Sequence, residues 1–213
     1  NLGEEAKLWD EFEPNVYQMD LKAENGDSIT EDFGFRDISF KNRLLVINGR
    51  PSYLRGTLEC AIFPETGYPA TDVEAWKDIF RTIQTYGLNH MRFHSWCPPE
   101  AAFEAADEMG VYLQVEAASW ANQSTTIGDG IPVDQFVLEE SERIIQAYGN
   151  HPSFVMMAYG NEPGGENYPE FLAEFVGDWK GKDSRRIYTS AAGWPAITEN
   201  QFHVLPEPRI QGW

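Results

Sequence analysis

Basic side chains are scarce in this sequence of 213 residues: 16 lysines and arginines stand against 34 aspartates and glutamates, for a formal charge of -18. Nucleic-acid binders use cationic side chains to displace counterions from phosphates, and anionic bilayer surfaces attract polybasic segments. Nucleic acid and membrane are therefore excluded as expected partners. Apolar runs are short too. None approaches the ~18 consecutive apolar residues of a membrane span, and the opening Asn1-Leu2-Gly3-Glu4-Glu5 lacks the basic-then-apolar order of a secretory signal. A soluble, unanchored chain is expected. Cysteine is nearly missing, since Cys60 and Cys97 cannot build a disulfide framework and show none of the paired spacings of a structural zinc site. Four histidines, at 90, 94, 151 and 203, form no ligand cluster of the kind a metal-dependent lyase or isomerase needs. Glycine-rich phosphate cradles are absent as well: Gly56-Thr57-Leu58-Glu59-Cys60-Ala61 contains neither G-x-G-x-x-G nor a P-loop, which argues against a nucleotide crevice.

Aromatic residues, by contrast, are plentiful. Seven Trp, 9 Tyr and 13 Phe exceed what a core of this size needs, and suggest ring faces kept for stacking on a ligand, although most must simply fill the core. The first forty residues read as β structure. Val16 to Leu21 alternates at period 2, Glu24-Asn25-Gly26-Asp27 is a hairpin turn, and Phe33 to Phe40 alternates again. Leu44 to Ile47 followed by Asn48-Gly49 predicts a further hairpin.

From Ser52 the texture changes to short apolar strands alternating with amphipathic helices, the pattern of βαβ units on a parallel sheet. Strands are expected over Tyr53–Glu59, Leu88–His94, Val111–Glu116, Phe154–Tyr159 and Arg186–Ser190, with a sixth from Phe202 through Leu205. The first helix opens with Thr71 and Glu74 spaced as a capping box and stops at Gly87. A second starts at Pro98-Pro99-Glu100 and stops at Gly110, a third runs from about Val133 to Gly149, and a fourth covers 169–180. Such repeats suit an (β/α)8 barrel or an open doubly wound sheet, and the missing glycine-rich turn favours the barrel.

In a parallel α/β fold chemistry gathers where strands end. Those positions hold Glu59, then Arg92, His94 and Trp96, then Glu116 and Trp120, then Asn161 and Glu162, and last Trp194. Carboxylates for proton transfer, polar groups for hydroxyls and indoles for the apolar faces of pyranose rings describe a sugar site. The sharpest element is Tyr159-Gly160-Asn161-Glu162-Pro163-Gly164-Gly165. A carboxyl between an apolar wall and a glycine-rich turn can serve as general acid when desolvation raises its pKa. The alternative reading is a carboxylate that accepts N–H groups of its own turn or pairs with a cation.

Asn-Glu at the end of a fourth barrel strand resembles the acid/base signature of clan A glycoside hydrolases. Lys7-Leu8-Trp9-Asp10-Glu11-Phe12-Glu13-Pro14-Asn15-Val16-Tyr17 is similar to the last strands of the immunoglobulin-like domain that precedes the barrel in glycoside hydrolase family 2, the group of β-galactosidases, β-glucuronidases and β-mannosidases. Phe33-Gly34-Phe35-Arg36, Ile47-Asn48-Gly49-Arg50-Pro51 and Leu54-Arg55-Gly56 resemble that family's lead into its barrel, and Gly87 to His94 and Asp107 to Tyr112 also fit. The resemblance implies an α/β fold: a (β/α)8 TIM barrel, incomplete in this chain, preceded by a short β-sandwich remnant. Residues 1–42 would be the C-terminal part of the immunoglobulin-like domain and 43–213 the N-terminal part of the catalytic barrel.

The implied activity is that of a retaining, exo-acting β-glycoside hydrolase acting on a β-linked oligosaccharide or glycoside, with Glu162 as acid/base and Asn161 holding the 2-hydroxyl. It needs no organic cofactor. Arg92, His94, Trp96, Glu116, Trp120 and Trp194 are the expected substrate-binding residues. Arg92 and Glu116 remain open to an internal ion pair, His94 to a structural role, and each Trp to packing. Two departures from the family pattern stand out. Ala117-Ala118-Ser119-Trp120-Ala121-Asn122 replaces the acidic and histidine residues that hold magnesium in related β-galactosidases, so no metal is expected. The family's nucleophile, a glutamate on the seventh strand, has no counterpart up to Trp213, because Glu207 lies too early and between prolines. The expectation is a catalytic-domain fragment lacking its nucleophile, with self-association through incomplete barrel edges; the other reading is a non-catalytic carbohydrate-binding or structural piece. A periplasmic or extracellular setting suits the acidic surface, and free buried thiols are expected at Cys60 and Cys97.

Overall fold

The computed structural model of the chain describes residue 3 and residues 5–121 and 125–204. Two small antiparallel sheets come first. Strands β1 (Tyr17–Lys22) and β2 (Ser28–Phe33) pair in register from Tyr17 opposite Phe33 to Lys22 opposite Ser28, around a turn in which Gly26 takes φ 94°. Strands β3 (Ile38–Lys41), β4 (Leu44–Ile47) and β5 (Arg50–Pro51) form the second sheet. Its hairpins turn through Asn42-Arg43 and Asn48-Gly49, all four at positive φ, the conformation that matches strand twist in two-residue turns. The first of these hairpins crosses residues 42–43.

The alternation from Phe33 to Phe40 does not make one strand: β2 ends at Phe33 and β3 starts only at Ile38. The intervening residues leave the ladder because Arg36 is spent beneath the barrel. Its guanidinium donates to the backbone carbonyls of Pro152 and Phe154 at 2.6 Å each, and to that of Arg185. Gly34 permits the approach, since a Cβ there would meet Pro152 Cγ at 2.6 Å.

The larger unit alternates β6 (Gly56–Glu59), α1 (Val73–Thr85), β7 (His90–Phe93), α2 (Glu100–Met109), β8 (Tyr112–Glu116), α3 (Pro132–Tyr148), β9 (Phe154–Ala158), α4 (Tyr168–Lys182) and β10 (Ile187–Thr189). The five strands are parallel, in the order β10-β9-β8-β7-β6. This is a partial (β/α) barrel; among the described residues the sheet does not close. Every residue of β8 and β9 is buried, as expected for strands covered on both faces. Helices α1 to α4 cover one face with Trp76, Phe80, Phe103, Val137, Phe175 and Trp179, while Trp9, Ile47, Tyr112, Val155 and Ile187 form a second core under the sheet's other side.

Several expectations shift locally. Helix α1 is capped by Asp72, whose Oδ1 accepts from the Ala75 amide at 2.9 Å, instead of by Thr71, which sits one residue too early to reach that amide. The first barrel strand begins at Gly56, not at Tyr53, because the Tyr53 carbonyl is taken by the Asn89 side chain. The sixth strand is reduced to a single parallel bridge between Ala192 and Val204, and Leu205 and Glu207 lie outside the described residues. Cys60 is exposed, contrary to the expected burial, because it follows the end of β6 in an open turn; Cys97 is half-buried, and neither is in a disulfide. Among the described residues no helix is long and apolar enough to cross a membrane.

Candidate active site

The parallel sheet places the carboxyl ends of β6, β7, β8 and β9 side by side, and the polar residues expected at strand ends arrive there together. At the centre is an ion pair. Glu116, the last residue of β8, is fully buried and accepts from Arg92 Nε at 2.6 Å and Nη2 at 3.1 Å, a two-pronged contact. Its remaining lone pairs are met by the Gln114 amide at 3.1 Å and by the backbone N–H of Ser95 at 2.8 Å. Ser95 points that N–H inward because it adopts φ 60°. A buried carboxylate is costly unless every oxygen is partnered, and here four donors do so.

The same guanidinium reaches the next strand, where Nη2 donates to Asn161 Oδ1 at 2.9 Å. Of the two ends of the Asn161 amide only the oxygen can accept from a guanidinium, so this bond turns its NH2 group the other way. Asn161 is buried and extends the sheet beyond β9: its N–H donates to the Ser119 carbonyl at 2.9 Å, and parallel bridges join it to Trp120 and Ala192. Gly160 is required there, since a Cβ would lie 2.2 Å from the Ser119 oxygen.

Glu162 follows with φ 38°, a conformation that side-chain-bearing residues rarely adopt and that clusters at functional sites. Its N–H donates to the Ala192 carbonyl at 2.8 Å, and its side chain runs close to Gly193, where a Cβ would stand 3.1 Å from Glu162 Cγ. The Trp120 indole Nε1–H donates to Glu162 Oε2 at 2.8 Å. Trp120 in turn meets the His94 ring edge-on, with centroids 4.7 Å apart, and His94 Nδ1 is 3.1 Å from Ser95 Oγ.

Of the nine strand-end residues, Arg92, Glu116 and Asn161 form one network, and His94, Trp120 and Glu162 a second beside it. Trp194 is 37% exposed and donates its indole N–H to the Pro163 carbonyl at 2.8 Å, which fixes the turn after Glu162. The Trp96 side chain does not join them: half-buried, it packs edge-on against Phe63 and Phe93 beside the helix-side core, while its backbone carbonyl accepts the Glu116 N–H at 3.4 Å. Glu59 bends back on its own turn and accepts the Ala61 and Ile62 amides at 2.9 and 3.4 Å. Gln114, Ser95 and Ser119 were not anticipated. Gln114 carried a signal, as a polar residue in the otherwise buried strand Tyr-Leu-Gln-Val; the other two contribute backbone groups, which sequence does not mark. Among the described residues no three His, Cys, Asp or Glu side chains group as ligands for a metal; Asn122 lies outside them.

The family model described as glycosyl hydrolases family 2, TIM barrel domain, matches residues 38–200. A β-galactosidase of Lactococcus lactis is 28% identical over 193 residues, which cover 84% of this chain and 18% of the relative. A putative β-glucuronidase of Formosa agariphila is 26% identical over 196 residues, 89% of this chain and 18% of the relative. The crystal structure of a family 2 β-galacturonidase from Eisenbergiella tayi bound to galacturonate superposes with a TM-score of 0.77 at 22% identity, over 88% of this chain and 34% of that one. The chain thus spans less than a fifth of the length of the two curated relatives.

Proposed function

The chain belongs to glycosyl hydrolase family 2, through its TIM barrel domain, and we propose that it supplies the acid/base half of a retaining, exo-acting β-glycosidase whose acid/base is Glu162. The observation that carries this reading is the placement of Glu162 directly after Asn161 at the carboxyl end of β9, at positive φ and beside the Arg92–Glu116–Asn161 network. The names of its relatives, a β-galactosidase and a putative β-glucuronidase, support the β-linkage.

In such a reaction the Glu162 carboxylic acid protonates the glycosidic oxygen as the bond to the anomeric carbon breaks. A second carboxylate, ~5–5.5 Å from the first, attacks that carbon, and Glu162 then takes a proton from the water that releases the sugar. Glu116 is poorly suited to be the nucleophile, because both of its oxygens are engaged by Arg92, Ser95 and Gln114. We assign the nucleophile to a part of the protein outside residues 1–213. Asn161, its oxygen held by Arg92, offers its NH2 group to an acceptor oxygen such as a sugar 2-hydroxyl.

The test is made in the intact protein that contains this chain. Glu162→Gln should slow hydrolysis of natural glycosides far more than that of aryl glycosides with good leaving groups, which need little protonation. Azide should restore turnover of activated substrates in Glu162→Ala and yield a β-glycosyl azide. Equal loss on both substrate types would sink the assignment.

A further inference from the structure

We infer that Trp120 is a positioning residue for the acid/base: its indole N–H holds and orients the Glu162 carboxyl, and stacking on a sugar ring is not its main task. The inference rests on the reading of Glu162 above and adds to it a group that orients its carboxyl.

Three observations carry it. The indole Nε1–H donates to Glu162 Oε2 at 2.8 Å, a full hydrogen bond to a carboxylate oxygen. Both residues are held in register by backbone, through the Trp120–Asn161 bridge, the Asn161 N–H to Ser119 carbonyl bond at 2.9 Å and the Glu162 N–H to Ala192 carbonyl bond at 2.8 Å. The indole itself is braced on another side by the His94 ring, 4.7 Å away and inclined at 64°. A tryptophan kept only as a platform needs a free face, and its N–H could point anywhere. This N–H points at the carboxyl read above as the acid/base.

An indole N–H is a donor only, so it favours the carboxylate over the carboxylic acid. When the proton moves from Glu162 to the leaving oxygen, the charge that develops on the carboxylate meets a donor already in place, and the indole keeps its own hydrogen throughout. Stabilisation of developing charge by a fixed dipole costs no reorganisation at the moment of reaction.

The experiment measures kcat/KM against pH for the intact protein and for Trp120→Phe, with a natural β-glycoside and with a nitrophenyl glycoside. The variant removes a donor to the charged form of the acid, so the alkaline limb should move to higher pH. The natural substrate should lose more rate than the nitrophenyl one. A raised KM with an unmoved limb would make Trp120 a platform and overturn the inference. Should Trp120→Phe fold poorly, replacement of the indole by benzothiophene at Trp120 keeps ring shape and removes only the N–H; the same limb shift supports the proposal and its absence refutes it. Glu162→Gln, run in parallel, separates the two claims. If it slows both substrates equally, both the acid/base reading and this inference fall, whereas selective loss there with an unmoved limb in the Trp120 variants overturns this inference alone.

Discussion

Replacing Arg92 by leucine should damage stability and activity together, and the structure says by how much. Glu116 has no exposed side-chain surface and Arg92 is 14% exposed, so the pair sits where solvent screens it little. Removing one partner of a buried pair costs about 3–5 kcal/mol, because the other charge is left behind in a dry site. The Ser95 N–H and the Gln114 amide still reach Glu116, at 2.8 and 3.1 Å, which places the expected loss near the lower end, about 3 kcal/mol. For a barrel domain this is a fall in Tm of roughly 6–12 °C, at about 2–4 °C per kcal/mol. Asn161 loses the donor that fixes its amide, and misplacing the substrate contact proposed for it should lower kcat/KM by on the order of 10²-fold per folded molecule. Thermal melts and active-site titration of Arg92→Leu, Glu116→Leu and the double variant in the intact protein separate the two effects. The double variant should recover most of the stability, since both charges are gone, with a coupling of at least about 2 kcal/mol, while its activity stays low. Strictly additive losses, or an unchanged melt in Arg92→Leu, would refute the account of a charge pair that carries both structure and site.

The remaining predictions concern the sheet around that pair and, as a control, the outer face of α4. Burial pushes the His90 imidazole down to about 4; its Nδ1 contact to the Tyr112 carbonyl opposes this and nearby Arg92 reinforces it. A folded value below the ordinary 6.5 means the unfolded chain binds the extra proton first, so stability should fall as pH drops from about 6.5 to about 4, by up to roughly 3 kcal/mol. Denaturant melts at pH 7.5 and pH 5 check this; His90→Gln should flatten the slope, and an equally steep one would assign it elsewhere. Gly160→Ala would place a Cβ 2.2 Å from the Ser119 oxygen, so it should lower Tm by several degrees and sharply reduce turnover. Gly177→Ala is the counter-case: exposed in α4 with nothing within 4 Å of the new Cβ, it should gain about 0.5–1 kcal/mol in melts and leave rates alone.

Strands and helices of the barrel half were legible because parallel βα units write long, periodic signals. Phe154-Val155-Met156-Met157-Ala158 is wholly apolar and became a fully buried strand. The failures share a cause. Phe33 to Phe40 alternates as a strand should, yet Arg36 finds three carbonyls on the far side of the chain, contributed by residues more than 110 positions away. A period-2 pattern reports which residues two faces could take; it does not report a tertiary contact strong enough to lift the backbone out of its ladder. The cap of α1 shifted from Thr71 to Asp72 for a smaller reason of the same kind, since the two adjacent candidates differ only in which amide each can reach.

The site was legible as a set of residues and not as a set of bonds. Strand ends supplied Arg92, Glu116, Asn161 and Glu162 because every parallel strand delivers its last side chains to one edge. Their pairing depended on stagger between neighbouring strands and on backbone groups. Arg92 reaches both Glu116 and Asn161 because β7 stands beside β8, and the residues after β9 continue the ladder far enough to bring Asn161 level with Trp120. Ser95 supplies an N–H only because its φ is positive, and Gly160 admits the Ser119 carbonyl only because it lacks a Cβ. The division of labour among the tryptophans follows from the same geometry. Trp96 leaves β7 on the helix side and packs half-buried against the core, whereas Trp120 continues along the strand edge, where its N–H falls beside Glu162. Residue type left each tryptophan open to stacking or packing, and it does not record the direction in which a strand delivers the ring.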